Sequence, residues 1–318
     1  MAKPYVIGVD MGGTNTCFGI VDARGNVIAS SSIKTRKHAD INDYIDELHQ
    51  ELTKLIVEND AVDKINGIGV GAPNGNYFTG MIEDAPNLPW PSPIPLAQLI
   101  SDKFGIPCII TNDANAAALG EMTYGVARGL KDFIMITLGT GVGSGVVVNG
   151  QMVYGHNGFA GELGHVVVKP SNGRQCGCGH TGCLEAYCSA TGVARTAREM
   201  LSKTNEPSLL RELDAEAITS YDVSVAAGKG DEMAKRIFKF TGNMLGEACA
   251  DFATFCSPEA FVFFGGLTKA GDLIMDPIKE GYEAHIMELF RGKAKFLISG
   301  LEGSSAAVLG ASAVGWDI

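Results

Sequence analysis

Between Glu162 and Cys188 the chain reads ELGHVVVKPSNGRQCGCGHTGCLEAYC, a span holding four of its eight cysteines and two of its six histidines. Cys176, Cys178 and Cys183 lie within eight residues, with His165 ahead of them and His180 between. Three thiolates and one imidazole suit a tetrahedral zinc ion, although the spacing is not that of a common finger. The plain alternative is a loop of free thiols, which the reactivity of exposed cysteine disfavours. Cys17, Cys108, Cys188, Cys249 and Cys256 read as packing residues. Glu162 and Glu185 stand at the two ends of the cluster.

Two glycine turns suit phosphate chemistry. Gly12-Gly13-Thr14 and Gly139-Thr140-Gly141 each join two strand-like runs, and glycines there let backbone N–H groups converge on polyphosphate oxygens. Neither is a Walker loop, and neither fits GxGxxG with a helix behind it, so each alone is equally a tight hairpin. Asp10, just before the first turn, is placed to meet a magnesium hydration shell or to cap the turn. Asp113, in TNDANAA, stands where a strand breaks into a helix, either projecting at the strand's ligand-binding end or capping the helix. A third pair, Gly265-Gly266, closes the apolar run AFVFF.

Positioning these residues takes an α/β scaffold. YVIGVDMGGTNTCFGIVDARGNVIAS reads as a β-meander, Tyr5 to Val9 and Thr16 to Val21 being its first strands. Ile45, Leu48, Leu52, Leu55 and Ile56 predict an amphipathic helix over Asn42 to Asn59. INGIGVGAP and CIITNDANAAALGEM read as strands leading into a loop and a helix, an alternation that marks the α/β class. FIMITLGTGVGSGVVVNGQMVYG then repeats the opening pattern at an offset of roughly 126 residues, suggesting duplicated domains facing a shared cleft. Glu232 to Cys256 reads as a long helix, and SSAAVLGASAVGW as a small-residue helix.

With 318 residues the chain is long enough for two domains, and 46% hydrophobic against 19% charged residues marks it as a folding sequence. A net charge of −11 argues against a nucleic-acid or anionic-membrane partner. The basic stretch IKTRKH, Ile33 to His38, reads as a solvated loop. The charge-free span Phe133 to Gly161 is long enough to cross a bilayer, but its glycines and polar residues point to strands and loops. The N-terminus lacks the pattern of a secretory signal, so the expected compartment is the cytoplasm, where cysteines are thiols or metal ligands.

Together DMGGTNTCFGIVD, APNLPW, NDANAAALGE, LGTGVGSGVVVNG, GFAGELGHVVV, CGCGHTGCLEAYCS and FFGGL resemble, in order and nearly end to end, the ROK family of sugar kinases and sugar-responsive repressors. The resemblance implies a two-domain actin-like ATPase (ribonuclease H-like) fold. The expected division is an N-terminal domain over 1–113 completed by a C-terminal helix at 302–318, and a larger domain over 114–301 holding the zinc motif. The implied activity is ATP-dependent phosphorylation of the 6-hydroxyl of glucose, with Asp113 as general base. Kinases of N-acetylhexosamines, mannose, fructose or allose are the nearest alternatives, and a non-catalytic sugar-sensing regulator is the alternative of another class. Such repressors carry a DNA-binding helix-turn-helix ahead of the kinase-like body, whereas here the first glycine-turn strand starts at Tyr5.

By the same resemblance Asn87, Asn112, Asp113, Glu162, His165 and Glu185 contact the sugar. Asp10, Gly12, Gly13, Thr14, Gly139, Thr140, Gly141, Gly265 and Gly266 hold ATP and its Mg2+. His165, Cys176, Cys178 and Cys183 bind a structural Zn2+, with His180 the substitute ligand. Relatives are commonly dimers or tetramers, so a homo-oligomer is expected. Asn74, in GAPNGNYFTGM, departs from the glycine that many relatives carry after the proline, which leaves the shape of that loop open.

Overall fold

The computed structural model describes residues 3–85, 87–301 and 303–318. The expected helix start at Glu302 lies outside them. The chain divides into two compact units: Met1–Leu130 with Gly145–Gly161 and Ser299–Ile318, and Lys131–Ser144 with Glu162–Ile298.

The first unit begins with the meander β1 (Tyr5–Met11), β2 (Asn15–Asp22) and β3 (Val27–Lys34). Then come α1 (Ile41–Glu58), β4 (Ile65–Gly71), α2 (Leu96–Phe104), β5 (Cys108–Thr111) and α3 (Asp113–Thr123). Next along the chain are β6 (Phe133–Leu138), β7 (Val142–Val148), β8 (Gln151–Met152), α4 (Glu185–Cys188), α5 (Ala190–Lys203) and α6 (Ser220–Gly228). The chain ends with α7 (Glu232–Cys256), β9 (Ala260–Phe264), α8 (Asp272–His285), β10 (Lys295–Ile298) and α9 (Gly303–Val314).

The two sheets run β3-β2-β1-β4-β5 and β8-β7-β6-β9-β10. Position for position this is one topology used twice, as the repeated glycine-turn pattern implied. The span Phe133 to Gly161 becomes β6, β7, β8 and a loop, and no described helix is long and apolar enough to cross a membrane.

Strand alternation sends the first sheet's side chains to two covers. Ile7, Val9, Phe18 and Ile20 join Leu48 and Leu52 of α1 and Ile100 of α2 in one core. On the other face Val6 and Val21 meet Val308 and Leu309 of α9. That contact is close because Gly19, Gly8 and Gly69 stand in register across β2, β1 and β4. A Cβ at Gly8 would lie 2.1 Å from Val308 O, and one at Gly69 2.1 Å from Ala311 O. The glycine row is therefore a groove in which α9 lies backbone against sheet.

Candidate active site

In the first unit the parallel strands end in one transverse row, Asp10 pairing with Gly71 and Gly71 with Thr111. Past Thr111 the chain enters α3, and the cap is Asn112, whose Oδ1 accepts from Asn115 N at 2.7 Å. Asp113 is thereby relieved of capping, and its Oδ1 accepts from Ala114 N at 2.8 Å. Gly71 lies between the two acids: a Cβ there would lie 4.0 Å from Asp10 Oδ1, 3.8 Å from Asp113 Cα and 3.0 Å from the Ala116 Cβ.

Burial raises the Asp113 pKa against the opposing pull of its own and the Ala114 backbone N–H. Asp10 is lifted to about 6, by burial first and the Asp113 charge second. Two carboxyl groups with perturbed ionisation at the carboxyl ends of parallel strands form a place for proton chemistry in an α/β sheet.

The first glycine turn rests on a buried hydroxyl ladder. Gly12 N donates to Asn15 O at 3.0 Å, and Thr35 ties both arms through Thr35 N to Thr14 O at 3.0 Å and Thr35 Oγ1 to Gly12 O at 2.7 Å. Below it Thr16 Oγ1 lies 2.9 Å from Thr35 Oγ1 and 3.0 Å from the Tyr44 hydroxyl.

The reading of Ile33 to His38 as a solvated loop holds for the exposed Lys34, Arg36 and Lys37 and fails at the buried Ile33 and Thr35. Thr35 is fully buried, Arg36 donates to Asn87 O at 2.7 Å, and Lys37 and His38 each meet Glu47 at 2.6 Å. Asn87 is held next to the turn, since a Cβ at Gly13 would lie 3.4 Å from its carbonyl oxygen. Asn74 resolves its own question: it adopts the left-handed φ of 50° that a glycine would, and its Nδ2 donates to Asp84 O at 2.8 Å.

In the second unit the turn between β6 and β7 is closed by Gly139 N donating to Gly141 O at 3.0 Å. The start of α5 grips it, with Ala190 N donating to Gly139 O at 2.8 Å and Thr191 Oγ1 to Thr140 O at 3.0 Å. Gly265, at φ 113°, ends the parallel neighbour β9, and a Cβ there would lie 2.4 Å from Leu138 O. Only glycine fits that approach. Gly266 has open space where its Cβ would be.

Val142 is where the second turn meets the cluster. Its N–H donates to Glu185 Oε2 at 2.9 Å, and its carbonyl is 2.0 Å from where a Gly164 Cβ would stand. Gly164 thus seats the short turn Leu163–His165, with Glu162 as its leading residue and His165 N donating to Glu162 O at 3.1 Å.

His165, Cys176, Cys178 and Cys183 offer ligand atoms that all lie within 4.8 Å of one another. Cys178 Sγ is 3.7 Å from Cys183 Sγ, and His165 Nδ1 is 3.8 Å from Cys176 Sγ. A tetrahedral zinc with Zn–S of about 2.3 Å needs donors roughly 3.7 Å apart, so the set fits the ion. Cys176 Sγ also lies 3.6 Å from Glu185 Oε1. The His180 side chain is not in the set; its carbonyl accepts from Cys176 N at 2.8 Å. None of the eight cysteines is in a disulfide, and Cys188 and Cys249 are buried as packing residues.

The sequence reading missed Arg174. It is buried, its Nη1 donates to Ala186 O at 3.1 Å and Gly192 O at 3.3 Å, and its Nη2 meets Glu199 at 2.7 Å. The guanidinium sits 4.5 Å over the Tyr187 ring, pinning the cysteine loop to α4 and α5. A lone arginine just before the first cysteine was the available signal. Ser189 was a second omission: its hydroxyl accepts from Gly192 N at 3.0 Å, capping the helix that holds the second turn.

The profile of the ROK family matches residues 6–316. A glucokinase of Halalkalibacterium halodurans is 38% identical, the alignment covering 99% of this chain and 95% of that protein. A solved ROK family glucokinase from Streptomyces griseus, in complex with glucose and AMPPNP, is 31% identical with a TM-score of 0.80, covering 99% of this chain and all of that one. A xylose repressor of Caldicellulosiruptor bescii is more distant, at 26% identity over 86% of this chain and 69% of that protein.

Proposed function

This chain belongs to the ROK family, and from that premise we propose that it is a glucokinase, transferring the γ-phosphoryl group of ATP to the 6-hydroxyl of glucose. The observation that carries the reading is Asp113, a buried carboxylate at the first turn of α3, freed from capping by Asn112 and beside the Asp10 end of β1.

In the reaction the sugar's O6 attacks the γ-phosphorus, the bond from that phosphorus to the β,γ-bridging oxygen breaks, and ADP leaves. Asp113 accepts the O6 proton as the bond forms, and burial makes it a stronger base than an exposed aspartate. Most of the barrier falls to positioning and charge. The open glycine turns Gly12-Gly13-Thr14 and Gly139-Thr140-Gly141 offer backbone N–H groups to the phosphates, and Gly265-Gly266 lets the adenosine approach. Asp10 would hold the hydrated Mg2+, which neutralises phosphate charge when bound. The other sugar hydroxyls fall to Asn87, Asn112, Glu162, His165 and Glu185.

The Cys3His set would hold a Zn2+ with a purely structural role, since four protein ligands leave no open position. His165 Nδ1 faces the sulfurs, so Nε2 is the nitrogen that remains for a sugar hydroxyl. Its thiols suit a reducing cytoplasm. The glucokinase reading is preferred over the other hexoses by the relatives at 38% and 31% identity.

The test is ATP-dependent phosphorylation across glucose, mannose, fructose, allose and the two N-acetylhexosamines, with Asp113→Asn as control. The expected result is a kcat/KM preference for glucose and a kcat at least about a hundredfold lower in the variant, with glucose binding retained. Near-normal turnover by Asp113→Asn would remove it as the base, and preference for an N-acetylated sugar would replace glucose as the substrate.

A further inference from the structure

The basic stretch IKTRKH uses its charged members in two different ways. Lys37 and His38 are both taken up by Glu47, each at 2.6 Å. Lys34 and Arg36 instead meet neutral oxygens: Lys34 Nζ donates to Asn15 Oδ1 at 2.7 Å, and Arg36 Nη2 to Asn87 O at 2.7 Å. Among the described residues neither is paired with a carboxylate. In a chain of 36 acidic against 25 basic residues, two cations left without an acidic partner at one spot point to an anion that arrives from outside.

That spot is the first glycine turn. Asn15 closes the turn, its carbonyl accepting from Gly12 N at 3.0 Å, and it pairs with Lys34 in the register of β2 and β3. Asn87 O, which anchors Arg36, lies 3.4 Å from where a Gly13 Cβ would stand. Between the two cations the buried Thr35 holds both arms of the turn through Thr14 O and Gly12 O. Thr14, Asn15, Lys34, Arg36 and Asn87 are all exposed, so a ligand at the turn can reach them. Of the two cations, Arg36 has the chemistry to grip a phosphate: its planar guanidinium carries five N–H donors, and Asn87 O occupies one side of the fork.

We propose that Arg36 is a further catalytic residue for phosphoryl transfer: its guanidinium binds phosphate oxygens held at the Gly12-Gly13-Thr14 turn, while Asn87 O fixes its position. Backbone N–H groups supply only partial charge, and one Mg2+ leaves the triphosphate anionic. An arginine at the turn adds a full positive charge where negative charge moves as the bond to ADP breaks. Lys34, tied to Asn15, strengthens the same field without a fork to hold the phosphate. The proposal rests on the kinase reading of this site.

The test uses the full chain with Arg36→Met and Arg36→Lys, beside Lys37→Met, which removes the same charge from the same stretch at a residue already paired with Glu47. Arg36→Met is expected to lower kcat/KM for ATP by about thirtyfold or more and to weaken calorimetric binding of AMPPNP, with the KM for glucose within about twofold of the parent. Arg36→Lys should recover part of the loss by returning the charge without the fork, and Lys37→Met should stay within about twofold of the parent. Thermal unfolding of each variant establishes that the molecules assayed are folded. Three results overturn the proposal while an active parent leaves the kinase reading intact. These are a kcat/KM for ATP within about threefold of the parent in Arg36→Met, an equal loss in Lys37→Met, or a loss confined to the KM for glucose, which would reduce Arg36 to a tether for Asn87. A parent that phosphorylates no sugar overturns both.

Discussion

Glu185 Oε2 accepts the backbone N–H of Val142 at 2.9 Å, while the other oxygen of the same carboxylate lies 3.6 Å from Cys176 Sγ. One side chain thus joins the second glycine turn to the cysteine cluster. Whatever fixes the cluster also fixes the carboxylate, and the carboxylate fixes the strand that follows the turn.

Gly141→Ala tests that link. Its Cβ would stand 2.4 Å from Glu185 Oε2, so the carboxylate must swing away and release Val142. The clash is with a side-chain end, so the fold should survive. The expected outcome is a kcat/KM for glucose lower by about tenfold or more, from misplacing a positioned group. Steady-state kinetics with unchanged thermal unfolding would support it; wild-type kcat/KM would show that the carboxylate position is immaterial.

Asp10 carries a stability cost that its role explains. Its pKa in the fold is about 6 against 3.8 for the unreacted side chain. The folded state therefore binds more protons than the unfolded state between those values, and stability falls as pH rises through that window. Below it both states are protonated and the cost vanishes. Asp10→Asn should stabilise the protein at pH 8 by on the order of 2 kcal/mol, lose that gain as pH falls towards 4, and abolish turnover. Thermal unfolding at the two pH values decides it: an equal shift at both would assign the effect to something other than ionisation.

Cys178→Ser removes one of the four donors from a set whose Cys178 and Cys183 sulfurs are 3.7 Å apart. Because ligand binding at a structural site is folding energy, metal content and Tm should fall together. A ratio near one zinc per chain in the parent protein and well below one in the variant, by elemental analysis, is the expected result. A parent protein purified without zinc would sink the assignment.

What could be read ahead of the structure was what depends on local spacing. The α1 stripe of Ile45, Leu48 and Leu52, the α7 span Glu232–Cys256 and both glycine turns follow from periodicity and turn chemistry. So did the acid at the end of β5, because strand and helix signals meet there. Arg174 and Thr35 were missed because their roles come from partners 12 and 23 residues away, Ala186 for Arg174 and Gly12 for Thr35. The glycines of YVIGVDM and INGIGVG were read only as part of strands; that α9 approaches them backbone to backbone comes from the tertiary fold.

That approach gives the last prediction. Gly8 and Gly69 are register partners on β1 and β4, and both press on the α9 backbone, through Val308 O and Ala311 O. An added methyl meets backbone in each case, which cannot rotate away. Gly69→Ala should therefore destabilise the protein by about 1–3 kcal/mol, and Gly8→Ala by a similar amount. Either change lifts the same helix, so once one has displaced α9 the second has less left to disturb. The double variant should lose clearly less stability than the sum of the singles, as read from denaturant midpoints at constant slope. Simple additivity would mean that the two glycines serve β1 and β4 separately, and that no shared groove holds α9 in place.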